Sequence, residues 1–294
     1  MPHPRAQELH TPVLRWYAES RRDLPWRRPG CSPWGVLVSE IMLQQTPVAR
    51  VEPVWERWIS LWPSACALAA SSPGEAVREW GRLGYPRRAL RLHAAAGVIC
   101  TEHDGEVPAD EAMLRTLPGI GDYTAAAVAA FAFGHRATVV DTNVRRVQAR
   151  AVSGVALPAP GLTRAEVDLA ARLLPEDDEQ AATWNVAVME LGALICTARS
   201  PRCGRCPVED LCAWRRAGSP AHVGPPRHGQ PWEGTDRQCR GRILQALRES
   251  EGPVTDAVLR ATWPERAQHE RCLDALVHEG LVEPLGDNRF QLPS

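Results

Sequence analysis

Four cysteines within the stretch GALICTARSPRCGRCPVEDLCAW constrain this chain more than any other feature. Cys196, Cys203, Cys206 and Cys212 follow the spacing C-x6-C-x2-C-x5-C. Two thiolates separated by two residues can grip one metal centre, and the flanking pair can close its coordination sphere within one compact loop. The first gap is too wide for a common zinc ribbon. The whole set therefore suits a cubane [4Fe-4S] cluster better than a single tetrahedral zinc, which is the competing reading beside fortuitous thiols. The remaining cysteines, Cys31, Cys66, Cys100, Cys239 and Cys272, are odd in number and scattered, and no secretory leader opens the chain. The expectation is a reducing cytoplasm without disulfides.

A chain of 294 residues allows one large domain or two unequal ones. No apolar run is long enough to span a membrane. The formal net charge of -1 gives no whole-chain sign of nucleic-acid binding, but the kind of positive charge matters: all 34 basic residues are arginine. Without a lysine amine, no side chain can form a Schiff base with an opened sugar.

From Thr11 to about Trp214 the pattern is one of successive helices with little strand alternation. Pro63, Pro73, Gly81, Pro108, Pro118, Gly134 and Pro175 mark their ends. Residues 217–234 hold four Gly and four Pro, so 217–235 reads as a linker between a catalytic domain, 1–216, and a small unit, 236–294. In that unit RGRILQALRES, TDAVLRATW and ERAQHERCLDALVHEG read as amphipathic helices. Two short extended runs around Gly286-Asp287-Asn288 read as a hairpin, which together suggests a winged helix.

Residues 114–134, LRTLPGIGDYTAAAVAAFAFG, read as a helix–hairpin–helix. Gly119 and Gly121 around one apolar residue let the backbone approach a phosphate, and the following helix offers free N–H groups and its positive dipole end. Such a hairpin grips the DNA backbone without reading sequence, though Pro-Gly turns also join ordinary helices. Glu40 lies among Trp34, Val36, Leu37, Val38, Ile41, Met42 and Leu43. Desolvation there would raise its pKa and keep a proton available for general-acid work, unless it sits on a wet face beside Ser39. Asp141, in ATVVDTNVRRVQAR, is either a helix N-cap or a carboxylate held beside Arg145, Arg146 and Arg150 to face a substrate. Those arginines read as a solvated helix face or as phosphate contacts. Arg199 and Arg202, with Arg205 beyond, would form a basic prong once a cluster folds the cysteine loop.

In their order, LPW, SEIMLQQT, GLGYP-like RLGYP, LPGIGDYT, VVDTNVRRV and the four-cysteine loop make residues 11–214 resemble MutY-type adenine DNA glycosylases. That resemblance implies an all-α helix–hairpin–helix glycosylase fold: a six-helix barrel and an iron–sulfur cluster subdomain, with DNA bound across their cleft. It implies a monomer of the bacterial cytoplasm, associated with the nucleoid, that removes adenine mispaired with 8-oxoguanine or guanine from double-stranded DNA. By position, Glu40 resembles the acid that protonates adenine. Asp141 resembles the carboxylate that stabilises the sugar cation, Asn143 its helper, and Tyr123 a tyrosine near the same sugar. Gln45 and Thr46 resemble residues that enter the duplex, and Tyr85 the wedge beside them. Arg22, Trp26, Arg27 and Leu43 are similar to residues lining the adenine pocket.

Three departures stand out. Pro86 replaces the second tyrosine of the usual pair, Val186 stands where relatives often carry Glu or Gln, and a short winged-helix-like unit replaces the usual Nudix-like C-terminal domain. Two alternatives share the fold. An endonuclease III-like lyase would place a lysine at Tyr123, and a T:G thymine glycosylase fits less well with Glu40 and LQQT. A third, a non-enzymatic iron–sulfur DNA-binding redox sensor, needs neither Glu40 nor Asp141.

Overall fold

Helix signals in the sequence become helices in the computed structural model, which describes residues 3, 5–222, 224 and 232–294. The helices run α1 (Ala6–Ser20), α2 (Pro33–Leu43), α3 (Val48–Leu61), α4 (Ala65–Ala69), α5 (Pro73–Trp80) and α6 (Arg87–Glu102). They continue through α7 (Glu111–Thr116), α8 (Asp122–Phe133), α9 (Thr142–Ala151), α10 (Arg164–Leu173), α11 (Asp178–Leu194) and α12 (Ala213–Arg216). Side chains close the helix starts where the orphan N–H groups need acceptors. Ser72 caps α5 with Pro73 at its first position, Asp177 caps α11, and Thr163 with Glu166 forms a reciprocal capping box on α10. At the other end of α8, Gly134 takes the left-handed conformation that stops a helix, with φ 71°. No strand is present among the described residues before Val254, and no helix is long and apolar enough to cross a membrane.

Two compact units interleave along the chain: residues 1–36, 109–115 and 120–226 in one, 37–108, 116–119 and 227–294 in the other. In the first, α1 and α9 pack on α11, burying Leu9, Val13, Val144, Trp184, Val188 and Leu191. Helix α8 is an alanine-rich rod buried almost all round: the six residues Ala125–Ala130 are each at most 4 % exposed. Small side chains allow that close packing on all faces.

In the second unit the core is aromatic. Trp58 sits edge-on to Trp62 and Trp80, with ring centroids 4.8 and 5.4 Å away. The packing of α4 on α6 brings Cys66 and Cys100 together in a disulfide, with Cα atoms 5.0 Å apart and a sequence separation of 34. The expectation of no disulfides is therefore corrected. Cysteine parity cannot reveal a pair created by two helices meeting in space.

The C-terminal segment holds α13 (Asp236–Glu249), β1 (Val254–Thr255), α14 (Asp256–Arg260), α15 (Arg266–His278), β2 (Glu283–Leu285) and β3 (Arg289–Gln291). The strands form an antiparallel sheet in the order β1-β3-β2, and Asp287 and Asn288 both take positive φ in the three-residue turn between β2 and β3. The segment thus holds the three helices and the hairpin read from the sequence. The two-residue β1 was not expected, because its pairing with β3 leaves no periodic trace in the sequence. The segment packs on α5: Arg78 donates to carbonyls of Arg248 and Ser250 at the end of α13, and Arg248 returns a 2.9 Å bond to the Val77 carbonyl. A Cβ on Gly74 would lie 2.3 Å from the Pro293 carbonyl oxygen, so only glycine admits this approach. Of the expected linker, residues 223 and 225–231 lie outside the described residues.

Candidate functional site

The extended run before α9 ends at Asp141, whose carboxylate closes the helix start. Its Oδ1 accepts from the Val144 N–H at 2.6 Å, so the N-cap reading holds. Its Oδ2 accepts from the Asn143 side-chain amide, also at 2.6 Å. The Asn143 oxygen in turn accepts from Arg146 at 2.8 Å, and Arg146 donates as well to the carbonyls of Cys196 and Gly192. Burial raises the Asp141 pKa above the ordinary carboxylate value, opposed by those hydrogen bonds and by the Arg146 charge. Helices α9 and α11 meet at Gly192, where a Cβ would come within 2.5 Å of the Asn143 Cβ. Gly192 thus sets the seat of Asn143, a role with no signal in the sequence. The other two arginines of the stretch turn inward instead of forming a solvated face or a phosphate contact. Arg145 pairs with Glu166 at 2.9 Å, and Arg150, 3 % exposed, binds the cysteine loop.

Cys196, Cys203, Cys206 and Cys212 line one pocket together with Arg150 and Trp214. Arg150 reaches the Cys196 sulfur at 3.4 Å and the Thr197 and Ala198 carbonyls at 2.7 and 3.0 Å, with its guanidinium over the Trp214 ring. Burial, then the neighbouring thiols, pushes the Cys206 thiol up to about 12. A cavity that gathers four sulfurs at this cost fits a cationic centre able to hold them as thiolates. No group of three or more His, Cys, Asp or Glu among the described residues is arranged around a single ion. Four thiols lining one pocket fit the cysteine ligand set of an iron–sulfur cluster. Arg199, Arg202 and Arg205 project from the loop, exposed.

Near the N-terminus, a three-residue turn Pro25–Arg27 carries Trp26, 6 % exposed. Arg22 and Arg27 flank it, and both are committed to Glu190 on α11. Arg22 forms a two-pronged bond at 2.8 and 2.7 Å and Arg27 adds one at 3.0 Å. Burial alone would raise the Glu190 pKa, but the Arg22 hydrogen bonds and the Arg27 charge outweigh it and hold the carboxyl at about 2. Glu190 escaped the sequence reading, since a glutamate 163 residues beyond its nearest partner carries no local mark.

In the other unit, Glu40 lies on α2 and is 5 % exposed, so the wet-face reading does not hold. Leu43 ends the helix, half-buried. Gln45 follows, exposed and left-handed with φ 55°. Thr46 is buried, its hydroxyl turned to the Gln44 and Leu83 carbonyls at 3.2 and 3.3 Å, which does not fit a residue entering a duplex. Tyr85 is 50 % exposed with φ 48°. The expected hairpin is present between α7 and α8. Gly119 has φ 79° and a Cβ there would strike Arg91, Ile120 is buried, and exposed Gly121 is the N-cap of α8. Tyr123, half-buried, lies in the first turn of that helix.

Comparison with known proteins agrees with this geometry. Residues 38–170 match the HhH-GPD superfamily base excision DNA repair protein model, and residues 196–212 match the iron–sulfur binding domain of endonuclease III. The chain is 57 % identical to an adenine DNA glycosylase of Mycolicibacterium smegmatis, over 95 % of this chain and 94 % of that one. It is 55 % identical to one of Mycobacterium tuberculosis, over 96 % and 93 %. Among solved structures, a thermostable thymine-DNA glycosylase superposes with a TM-score of 0.65 at 28 % identity, covering 72 % of this chain and 97 % of that one. The fold is all-α of the helix–hairpin–helix glycosylase type, the chain is an enzyme that binds DNA, and its cofactor is a [4Fe-4S] cluster.

Proposed function

The chain belongs to the adenine DNA glycosylase family of the HhH-GPD superfamily, and from that membership we propose that it hydrolyses the glycosidic bond of adenine mispaired with 8-oxoguanine or guanine. The observation that carries this reading is identity across nearly the full length of a curated adenine DNA glycosylase. The site residues support it. Glu40, buried on an apolar helix, is suited to deliver a proton to a purine ring nitrogen as the C–N bond breaks. Asp141, fixed by Val144 and Asn143, is suited to stabilise the positive charge that develops on the sugar. Water then adds to the sugar carbon and yields its proton to a carboxylate, leaving free adenine and an abasic site. Tyr123 lies near the same sugar, and with no lysine in the chain the reaction stops without strand cleavage.

The target adenine must leave the stack first, at a few kcal/mol, and less at a mispair. Exposed Gln45 and Tyr85 enter the duplex, while Thr46 braces Gln45 from within. Trp26 contacts the extruded adenine, and Arg22 and Arg27 hold it in place through Glu190; Leu43 is a further base contact. Gly119, Gly121 and the N–H groups of α8 take a phosphate, as do Arg199 and Arg202. Cys196, Cys203, Cys206 and Cys212 would hold the cluster, which supplies the closure that makes their loop rigid. Residues 1–216 form the catalytic domain and 236–294 a winged-helix-like domain joined by 217–235. The protein acts as a monomer in the cytoplasm, at the nucleoid.

Single-turnover base release on duplexes carrying A:8-oxoguanine, A:G, T:G or an oxidised pyrimidine, with and without alkali, tests the proposal. Strand scission at adenine only after alkali is expected. Glu40→Gln and Asp141→Asn should each abolish release while mispair binding survives. Release of thymine from T:G would favour the activity named for the superposed thymine-DNA glycosylase, and cleavage at pyrimidines without alkali would end the monofunctional reading.

A further inference from the structure

Two non-glycine residues on exposed turns, Gln45 and Tyr85, stand in the left-handed region of backbone space. Such conformations persist only where the surroundings over-determine them, and they concentrate at functional sites. Arg88, near the start of α6, touches the backbone on either side of both. Its Nη1 donates to the carbonyls of Ile41, Met42 and Gln44 at 2.7, 3.1 and 2.7 Å, which are acceptors left open where α2 ends. Its Nη2 donates to the Thr46 hydroxyl at 3.1 Å and to the Gly84 carbonyl at 3.0 Å. The Gln44 and Thr46 bonds bracket Gln45, and the Gly84 bond immediately precedes Tyr85. The guanidinium also lies over the rings of Trp80 and Tyr85, at 5.2 and 5.5 Å.

Arg88 is 7 % exposed, and these hydrogen bonds go to carbonyls and one hydroxyl, with no carboxylate among them. Burial of the charge lowers its pKa to about 10. A fold does not bury a guanidinium without a counter-ion merely to fill space, since an aliphatic side chain would do so at lower cost. The planar fork has enough N–H groups to fasten two turns at once, which a lysine ammonium cannot reproduce.

We propose that Arg88 is the positioning residue that locks Gln45 and Tyr85 into one duplex-opening wedge, so that base extrusion, and not DNA affinity, depends on it. The inference rests on the reading of Gln45 and Tyr85 as residues that enter the duplex. The test uses the full-length protein with its cluster and a duplex carrying fluorescent 2-aminopurine opposite 8-oxoguanine. The fluorescence rise reports extrusion, titration reports affinity, and a urea unfolding curve reports folding. Arg88→Lys and Arg88→Met should slow extrusion about tenfold, the worth of one strained residue released, with duplex affinity changed less than about twofold. In the Tyr85→Ala background, Arg88→Met should add little, because the two act as one unit. Normal extrusion in either folded Arg88 variant, fully multiplicative effects in the double variant, or failure of both variants to fold would overturn the proposal. Unchanged extrusion in Tyr85→Ala and Gln45→Ala would instead sink the wedge reading itself, whatever the Arg88 variants do.

Discussion

Arginine is buried at two places in this molecule by opposite means. Arg22 and Arg27 meet a carboxylate, Glu190, that is fully inaccessible to solvent, so the charges are largely compensated. Arg88 meets backbone carbonyls and one hydroxyl, so its charge is solvated by the fold itself. The difference teaches what each site is for. A charge pair resists dissociation of two segments and responds to pH through its acid. A carbonyl-lined guanidinium has no acid partner to titrate and instead dictates the path of the chain around it.

The comparison breaks first at Glu190. Replacing it by Gln should cost on the order of 3 kcal/mol, from the depression of its pKa from 4.5 to about 2, read as a lower urea midpoint. The wild-type stability should carry a pH dependence of matching size. Because the folded pKa is depressed, the stabilisation is complete above pH 4.5 and is lost as pH falls toward 2. Subtracting the Glu190→Gln curve isolates it, and a flat difference over that window would show that the pair does not hold the fold. The smallest effect should come from Arg27→Lys, which keeps the charge and gives up one geometric contact, about 1 kcal/mol. A loss as large as that of Glu190→Gln would mean that the two arginines are equal partners.

What the sequence disclosed was local. The four cysteines, the Pro-Gly-Ile-Gly hairpin and the Gly286-Asp287-Asn288 turn each carry their chemistry within one short stretch of chain, and each appears where it was read. Glu40 was read as apolar-buried or solvent-facing, and burial decided it. What stayed hidden depends on distant chain segments. Cys66 finds Cys100 across two helices, Glu190 finds Arg22 and Arg27 from the far side of the sequence, and Gly192 makes room for Asn143. Arg145 and Arg150 read as a solvated face or as phosphate contacts because a helix with three arginines usually wears them outside. Here their partners are a capping-box glutamate and a metal-binding loop, neither adjacent in sequence. Thr46 looked like its neighbour Gln45, yet one residue of turn sends one side chain inward and the other out.

The interleaving of the two units has a consequence for how the chain comes into being. Helix α1 packs on α11, and the first 36 residues belong with residues 120–226. During synthesis at ~5–20 residues per second, α1 waits ~10–30 s for the helix that will cover its apolar face. Residues 37–108, emerging in between, wait in turn for the last segment, which rests on Gly74 and Arg78. The second unit cannot close before the ribosome is nearly finished, and until α11 has emerged the growing chain keeps Leu9, Val13 and Tyr17 uncovered. A nascent chain of this design depends on whatever shields those side chains at the tunnel exit.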